Sequence, residues 1–442
     1  MTRAHARNLS PEADGPRPAA WEWVAAALVI IMMTGALIGP LFAPDQGETP
    51  VLRLVWLPAY AVIFMLAIRR AREILVVWPG AVIAAGLVGL AWLSHLWSLE
   101  PDVTVRRSIA LAITMLFALY LAGTFRGANL LRLLCWAFIA MQLMSLVAVF
   151  ANPVMGIHQD VNAGMWRGVW YEKNQLGMMM FTAALSGLAL IVSGERGRPL
   201  ALVTIGLALV LLLGSQSKTS LLCLIAGSGV IIGLYLLRRT GPAAAVALVW
   251  LGVVVGSAAL AFIAISPETF FTLLGKDPSL TGRTDIWDAL MRRAAERPVT
   301  GYGYAAFWGK ESMPANWVRL ETDWDVPSAH QGWLEVLVQL GWAGAVAVAA
   351  TAALALFMTL ARLPRLGAQE GYFGAGYLVA VGVLTLSESV LMLHHNLTWS
   401  LCIVVLASRF LPAPEPRTAA SPAARRGSLS RHRRMGPAVA GG

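Results

Sequence analysis

The chain is short of charge, short of cysteine, and without a soluble-looking stretch longer than one loop. Asp, Glu, Lys and Arg make up only 13% of its 442 residues, about half the share usual in a soluble domain. With 57% hydrophobic residues and a mean hydropathy of +0.66, that deficit excludes a soluble globular protein. The three cysteines, Cys135, Cys223 and Cys402, all fall inside apolar segments, so neither a disulfide framework nor a metal-ligand spacing follows from them. No Lys, Arg, Asp or Glu falls at the middle of any apolar span. Ion-coupled carriers keep ionisable groups there, so this absence argues against a translocation path. The first apolar run follows Arg3, Arg7 and Arg17 and lacks a small-residue cleavage site after it; it reads as an uncleaved span. There is no internal repeat and no second soluble domain.

What is present is a series of apolar runs near 21–42, 51–68, 74–93, 108–125, 130–150, 174–194, 199–214, 217–237, 243–265, 330–360, 371–393 and 396–411. A bilayer core takes roughly 20 residues of helix, so these runs predict an all-α, polytopic helix bundle with about twelve transmembrane helices. With the N-terminus cytoplasmic, the cytoplasmic pieces hold 21 of the 34 Lys and Arg, as the positive-inside rule requires. The expected layout is a cytoplasmic N-tail (1–20), spans one to nine (21–265), a long external loop (266–329), spans ten to twelve (330–411), and a basic cytoplasmic tail (412–442). The tail, with Arg425, Arg426, Arg431, Arg433 and Arg434 among Ala, Pro, Ser and Gly, reads as disordered and attracted to anionic headgroups. The net charge of +10 therefore belongs to topology and the lipid surface, and nucleic acid is not an expected partner.

The loop is the one long polar interruption. Its 64 residues hold nine acids, seven bases, five prolines and four tryptophans, too polar to sit in hydrocarbon. Polar chemistry gathers on the same external side in four pieces. The first is Met165-Trp166-Arg167-Gly168-Val169-Trp170-Tyr171-Glu172-Lys173-Asn174-Gln175, and the second is Gly214-Ser215-Gln216-Ser217-Lys218-Thr219-Ser220. The third is Thr281-Gly282-Arg283-Thr284-Asp285-Ile286-Trp287 with the helix it opens, and the fourth is His330-Gln331. Thr284 is a good N-cap and Arg297-Pro298 a stop. The stripe Ile286, Trp287, Leu290, Met291 and Ala294 predicts a short helix lying along the membrane surface. An arginine before a helix N-terminus suits an anion, and a loop-fixing ion pair is the other reading of Arg283. Gly301-Tyr302-Gly303-Tyr304 offers aromatic faces that suit either sugar stacking or an interfacial belt. His330 opens a long helix facing the loop; its imidazole can take a proton from a hydroxyl or serve as a structural hydrogen-bonder. His95 and His158 sit in outer loops without a clear motif, Glu335 and Glu388 lie within about two turns of the outer surface by helical rise, and His394 and His395 lie at the outer end of the eleventh span.

Taken together, these motifs resemble the O-antigen ligase and polysaccharide polymerase superfamily, and most closely its ExoQ-type exopolysaccharide polymerases. His330, Gln331, Gly341 and Gly344 meet the signature of His, then Ser, Asn or Gln, nine residues, Gly, two residues, Gly. The 282–287 piece, Arg297-Pro298 and Gly301-Tyr302-Gly303-Tyr304 look like the family's segment upstream of that histidine. Gly168, Lys173, Asn174 and Gly177, then 215–219, match two earlier motifs, and Glu388-Ser389 looks like the exopolysaccharide branch. The resemblance implies a GT-C-like fold and a metal-independent, inverting glycosyltransferase without a cofactor. It implies an undecaprenyl-pyrophosphate-linked oligosaccharide as donor and as acceptor, a periplasmic site on the bacterial inner membrane, and both termini cytoplasmic. A chain-length regulator and export machinery are possible partners on the same ground. The family's two functional arginines and its histidine map onto Lys218, Arg283 and His330. Lysine at the first position is a departure, a point charge in place of a bidentate fork, and favours polymerase over ligase. Arg167, Lys173, Asn174, Tyr302, Tyr304 and Glu388 are the expected substrate-contacting residues. A ligase acting on lipid A or protein is the nearest alternative; a lipid-linked-oligosaccharide transporter and a scaffolding subunit are the others.

Overall fold

The computed structural model describes residues 17–42, 50–160, 162–194, 196–266, 269, 283–309, 311–362 and 368–412. Predictions that fall on the N-terminal tail, on 270–282 and on the basic C-terminal tail lie outside these residues. Residues Gly15–Leu411 form one compact unit, to which the following description refers. Among the described residues the regular structure is helical, with one isolated bridge between Ile157 and Trp166.

Seven helices are long and apolar enough to cross a membrane. They are α5 (Trp78–Leu93, continued by a tighter turn to Leu96), α6 (Pro101–Thr124), α7 (Ala128–Ala151), α9 (Lys173–Val192), α10 (Arg198–Ser215), α11 (Lys218–Leu237) and α15 (Gly332–Arg362). Five further apolar helices stand where the sequence predicts the remaining spans: α1 (Ala20–Met33), α3 (Pro50–Arg69), α12 (Pro242–Ile265), α16 (Ala368–Leu384) and α17 (Leu397–Ser408). Short pieces complete the set: α2 (Ile38–Phe42), α4 (Ala71–Val76), α8 (Pro153–Gly156), and, in the long loop, α13 (Arg283–Glu296) and α14 (Met313–Thr322).

Helices in hydrocarbon gain little by burying leucine, so close backbone approach and internal hydroxyl bonds hold them together. Gly227 of α11 faces Gly376 of α16: a Cβ on either would lie 2.9 or 2.7 Å from the other's carbonyl oxygen. Thr114, Thr182 and Ser186 return their hydroxyls to carbonyls one turn back, and Gln142 donates to the Thr204 carbonyl at 3.0 Å. At the opposite end from the motifs, Arg70 grips buried Glu22 through two nitrogens at 2.8 and 2.7 Å, joining α1 to the α3–α4 turn.

Three differences from the sequence reading have physical causes. The eleventh predicted span, 371–393, stops as a helix at Leu384; residues 385–396 form turns in which Met392 and His395 take positive φ. Glu388 and the His394–His395 pair thereby leave the helix for a folded connection.

Second, α15 is two helices joined at Gly341, whose φ of +61° and ψ of −161° are not helical. A break inside a helix strands its amides and carbonyls. Residues 298–303 supply the partners: Tyr302 N–H donates to the Val338 carbonyl (2.9 Å), Gly303 N–H to Gln339 (2.9 Å), Trp342 N–H to Pro298 (2.7 Å) and Ala343 N–H to Val299 (3.2 Å). Gly341 has to be glycine, since a Cβ there would sit 2.3 Å from the Val299 carbonyl carbon at a φ that L side chains avoid.

Third, α13 does not present its apolar stripe to the bilayer. Ile286, Ala289, Leu290 and Ala294 are buried with Tyr302, Phe307, Ala315, Val318, Leu337 and Val338 in a second core under the loop. Only Met291 of the predicted stripe is strongly exposed. The loop had apolar surface of its own to bury, and that core captured the stripe.

Candidate active site

His330 lies in the turn that leads into α15, at a φ of +48° that is unusual for a side chain with a Cβ. Glu335, one turn into α15 and buried, holds this turn. Its Oε2 accepts from the Ala329 N–H at 2.8 Å and from the Ser389 hydroxyl at 3.3 Å. Its Oε1 accepts from Trp308 Nε1 at 2.9 Å and Gln339 Nε2 at 2.6 Å. The Ala329 carbonyl accepts from Trp287 Nε1 at 3.0 Å, so the peptide before His330 is clamped on both sides. Gln331 accepts the Leu334 N–H, the helix-capping use of that motif position. The imidazole stacks on Trp324, with ring centroids 5.7 Å apart and planes 7° from parallel.

From this turn a line of contacts runs to Lys218. Gly332 N–H donates to the Thr385 carbonyl at 2.8 Å, tying the start of α15 to the end of α16. A Cβ on Gly332 would lie 3.3 Å from the Glu388 carbonyl oxygen. The Glu388 carboxylate accepts from Asn174 Nδ2 at 3.0 Å, and Asn174 Oδ1 accepts from the Ser217 hydroxyl at 3.0 Å. Ser217 is the N-cap of α11, whose first residue is Lys218. Gly177 permits the closeness, since a Cβ there would meet Ser220 Oγ at 2.5 Å and Ser217 Cβ at 2.8 Å. The Lys218 ammonium is exposed and near enough to Lys173 for the two charges to act on each other. Two cations, a histidine and a bridging amide thus share one end of the bundle, an arrangement suited to an anionic substrate.

The other expected residues have structural partners. Arg167 donates from Nε to the Met155 carbonyl (2.9 Å) and from Nη2 to Val154 (3.0 Å), fastening the α8 turn. Lys173 Nζ contacts Met165 Sδ at 2.8 Å. Tyr302 is buried, with its hydroxyl donating to the Arg293 carbonyl (3.0 Å) and lying 2.5 Å from Glu296 Oε2. Burial, with the Glu296 carboxylate next, pushes its phenol above the ordinary value. Tyr304 is buried too, and its hydroxyl donates to the Met392 carbonyl at 2.6 Å. Neither ring turns a face outward. Arg283 opens α13, but its side chain and residues 281–282 are outside the described set.

Sequence reasoning passed over two residues. Glu335 was legible only as a carboxylate near the outer end of a span. His158, without a motif, is a buried cap: its Nε2 accepts the Lys173 N–H at 3.1 Å and so ends the α9 ladder. Asp160 Oδ1 lies 3.4 Å from its Nδ1 and Glu172 Oε2 3.7 Å from its Nε2. Burial raises the Glu172 carboxyl above its ordinary range, with His158, Arg167 and Lys173 pulling the other way.

With this geometry in place, comparison with known proteins is informative. Residues 203–349, from within α10 to the second half of α15, match the family model described as O-antigen ligase. The matched segment is similar to that family. It contains Lys218, Arg283, His330 and both motif glycines of the broken helix, whereas Arg167, Lys173, Asn174 and Glu388 flank it. The chain is also 30% identical over 290 residues to a protein of Rhizobium meliloti (strain 1021) named "Exopolysaccharide production protein ExoQ". That alignment covers 62% of this chain and 64% of the relative, so the chain spans less than two thirds of the relative's length. The matched segment therefore carries the loop, the histidine turn and the Lys218 cap, and the neighbouring helices complete the polar end.

Proposed function

We propose that this protein polymerises undecaprenyl-pyrophosphate-linked oligosaccharide repeat units into an exopolysaccharide at the periplasmic face of the bacterial inner membrane. The observation that carries this reading is that the His330 turn is tied through Gly332 to Thr385 at the start of the 385–396 connection, and that Glu388 of the same connection is tied through Asn174 and Ser217 to the Lys218 cap, at one end of an apolar bundle. Twelve crossings, both termini cytoplasmic and a GT-C-like arrangement complete the proposal, supported by the positions of the seven long and five shorter apolar helices. The basic 412–442 tail then faces the cytoplasm.

The acceptor hydroxyl attacks the anomeric carbon of the donor sugar from the side opposite the pyrophosphate. A glycosidic C–O bond forms as the bond to the pyrophosphate breaks, which inverts the centre. The hydroxyl proton passes to the imidazole of His330, and undecaprenyl pyrophosphate leaves with the electron pair. Lys218 and Arg283 stabilise the charge that develops on it, with Lys173 adding to the same field. Asn174 and Glu388 set the position of the Lys218 cap, Arg167 holds the turn before α9, and Tyr302 and Tyr304 brace the loop against α15 and the 385–396 connection. Glu335 orients the His330 turn through the backbone. No metal or cofactor takes part in these steps.

Purified protein in nanodiscs, given lipid-linked repeat units with and without a chelator, tests this. The expected product is a ladder of lengthening glycan on the carrier lipid, undiminished by the chelator. Transfer of finished glycan to lipid A or to protein, with no ladder, would replace the polymerase reading by the ligase one, which the matched family model's description favours. Transbilayer movement of intact lipid-linked oligosaccharide without bond formation would sink both.

A further inference from the structure

Helix α14 is turned inside out for an element bathed in water. Ala315 and Val318 are its buried side, while Met313, Trp317 and Leu320 are 63%, 50% and 73% exposed. Trp324, just past the C-cap, is 43% exposed. The spacings of four and three residues put Met313, Trp317 and Leu320 on one face of the helix, and Trp324 follows the left-handed Asp323 cap. The helix's charges face elsewhere. Arg319 donates to Asn316 Oδ1 (2.8 Å) and the Trp308 carbonyl (3.0 Å) and pairs with Asp325 at 2.9 Å. Glu321 pairs with Arg292, and with Arg293 at 3.7 Å, both on α13. The outward face is left wholly apolar.

The fold also sets where this face lies. Trp324 stacks on His330, two residues before α15, a helix of membrane-crossing length. The end of the stripe is thus pinned beside the start of that helix. On α15 itself Trp342 and Val346 are 59% and 62% exposed, so the strongly exposed apolar side of that helix begins just past its break at Gly341. Val299, 63% exposed and joined through its backbone to Ala343, extends that apolar surface into the loop. An amphipathic helix held in this position, with tryptophan in its apolar face, meets the headgroup–acyl boundary.

We propose that α14 is a bilayer-docking helix. Met313, Trp317 and Leu320 enter the boundary region of the leaflet on the loop side, and Trp324 sits at its water edge beside His330. The cover over His330 is then held from two sides, by the Glu335 cluster within the protein and by the lipid surface outside it. This inference needs only that α15 crosses the membrane, and it stands whether the site polymerises or ligates.

The test places an environment-sensitive nitrobenzoxadiazole label at Leu320→Cys and, as control, at exposed Glu311→Cys. Both full-length variants are reconstituted in vesicles of phosphatidylethanolamine and phosphatidylglycerol. The parent protein, whose cysteines are buried or half-buried, supplies the background. The label at 320 is expected to lose most of its emission to a shallow spin-labelled lipid and little to aqueous iodide, and the label at 311 the reverse. Equal iodide quenching at the two positions overturns the proposal. So does shielding at 320 that appears only when lipid-linked saccharide is added, which would make the face a glycan platform. Shielding that vanishes as protein is diluted in lipid also overturns it, since a second copy would then be the cover.

Discussion

Replacing Glu335 by glutamine tests whether the His330 turn is held from α15. The carboxylate has four donors around it, Ala329 N–H and the Ser389 hydroxyl on Oε2 and the Trp308 and Gln339 nitrogens on Oε1. An amide keeps one acceptor oxygen and turns an NH2 group toward the other pair. The less costly placement points that NH2 toward Ser389, whose hydroxyl can accept it, and leaves the Ala329 N–H facing a donor. A buried donor left without a partner costs about 1–3 kcal/mol, so the local opening of residues 326–332 is expected to become easier by about 2 kcal/mol. At 1.4 kcal/mol per factor of ten, that is roughly 30-fold faster amide exchange where reclosing is fast and exchange follows the opening equilibrium. Hydrogen–deuterium exchange with mass spectrometry on the 326–334 peptide reads this directly, with peptides of α9 as an internal reference that should not change. Turnover is expected to fall with little change in KM, because the carboxylate reaches the imidazole only through the Ala329 peptide. Unaltered exchange at 326–334 in Glu335→Gln would refute the clamp.

Other perturbations follow from the same geometry. Gly341→Ala should cost at least about 2 kcal/mol, from positive-φ strain and the contact at Val299, and should lower the yield of monodisperse protein. Gly252→Ala, with open space around the new methyl, should leave that yield unchanged. His330→Ala should abolish glycan lengthening, and Lys218→Ala should reduce it at least tenfold while Lys218→Arg retains most of it. Normal polymer from both alanine strains would defeat the proposed chemistry. The Tyr302 phenol is held above its ordinary value, so above about pH 10 the unfolded chain releases a proton that the folded loop keeps. Stability conferred by Tyr302 is therefore full below that pH and falls as pH rises through it. The gap in chemical-denaturation midpoint between the parent and Tyr302→Phe should narrow from pH 9 to pH 11, and a constant gap would contradict the assignment.

Much of the helix layout was legible because hydrocarbon imposes one demand on every span, a long apolar run with its backbone bonded to itself. The runs at 108–125, 130–150, 174–194 and 217–237 reappear as α6, α7, α9 and α11 within a few residues at most ends. Where the chain has other protein to bond to, the pattern misleads. Residues 385–393 read as the end of an apolar span but fold as turns, because the Gly332 amide and the Tyr304 hydroxyl take up carbonyls from that segment. The stripe on α13 read as lipid-facing because periodicity reports an apolar face without saying what covers it, and the loop's own core covers it.

For the candidate site, sequence alone determined the residue types and their order. These are a histidine before a long helix, cations at two helix starts, and glycines at fixed offsets. Local chemistry suffices for such inferences, since caps, breaks and charge placement are written within a few residues. Only the tertiary structure decided that Asn174 bridges Glu388 to the Lys218 cap, that Gly341 breaks α15 so that 298–303 can bond into the gap, and that Glu335 holds the His330 turn. Each joins segments far apart in the chain, 214 residues in the case of Asn174 and Glu388. A hydrogen bond depends on where two groups come to lie, and that position is set by the packing of the whole bundle rather than by either segment.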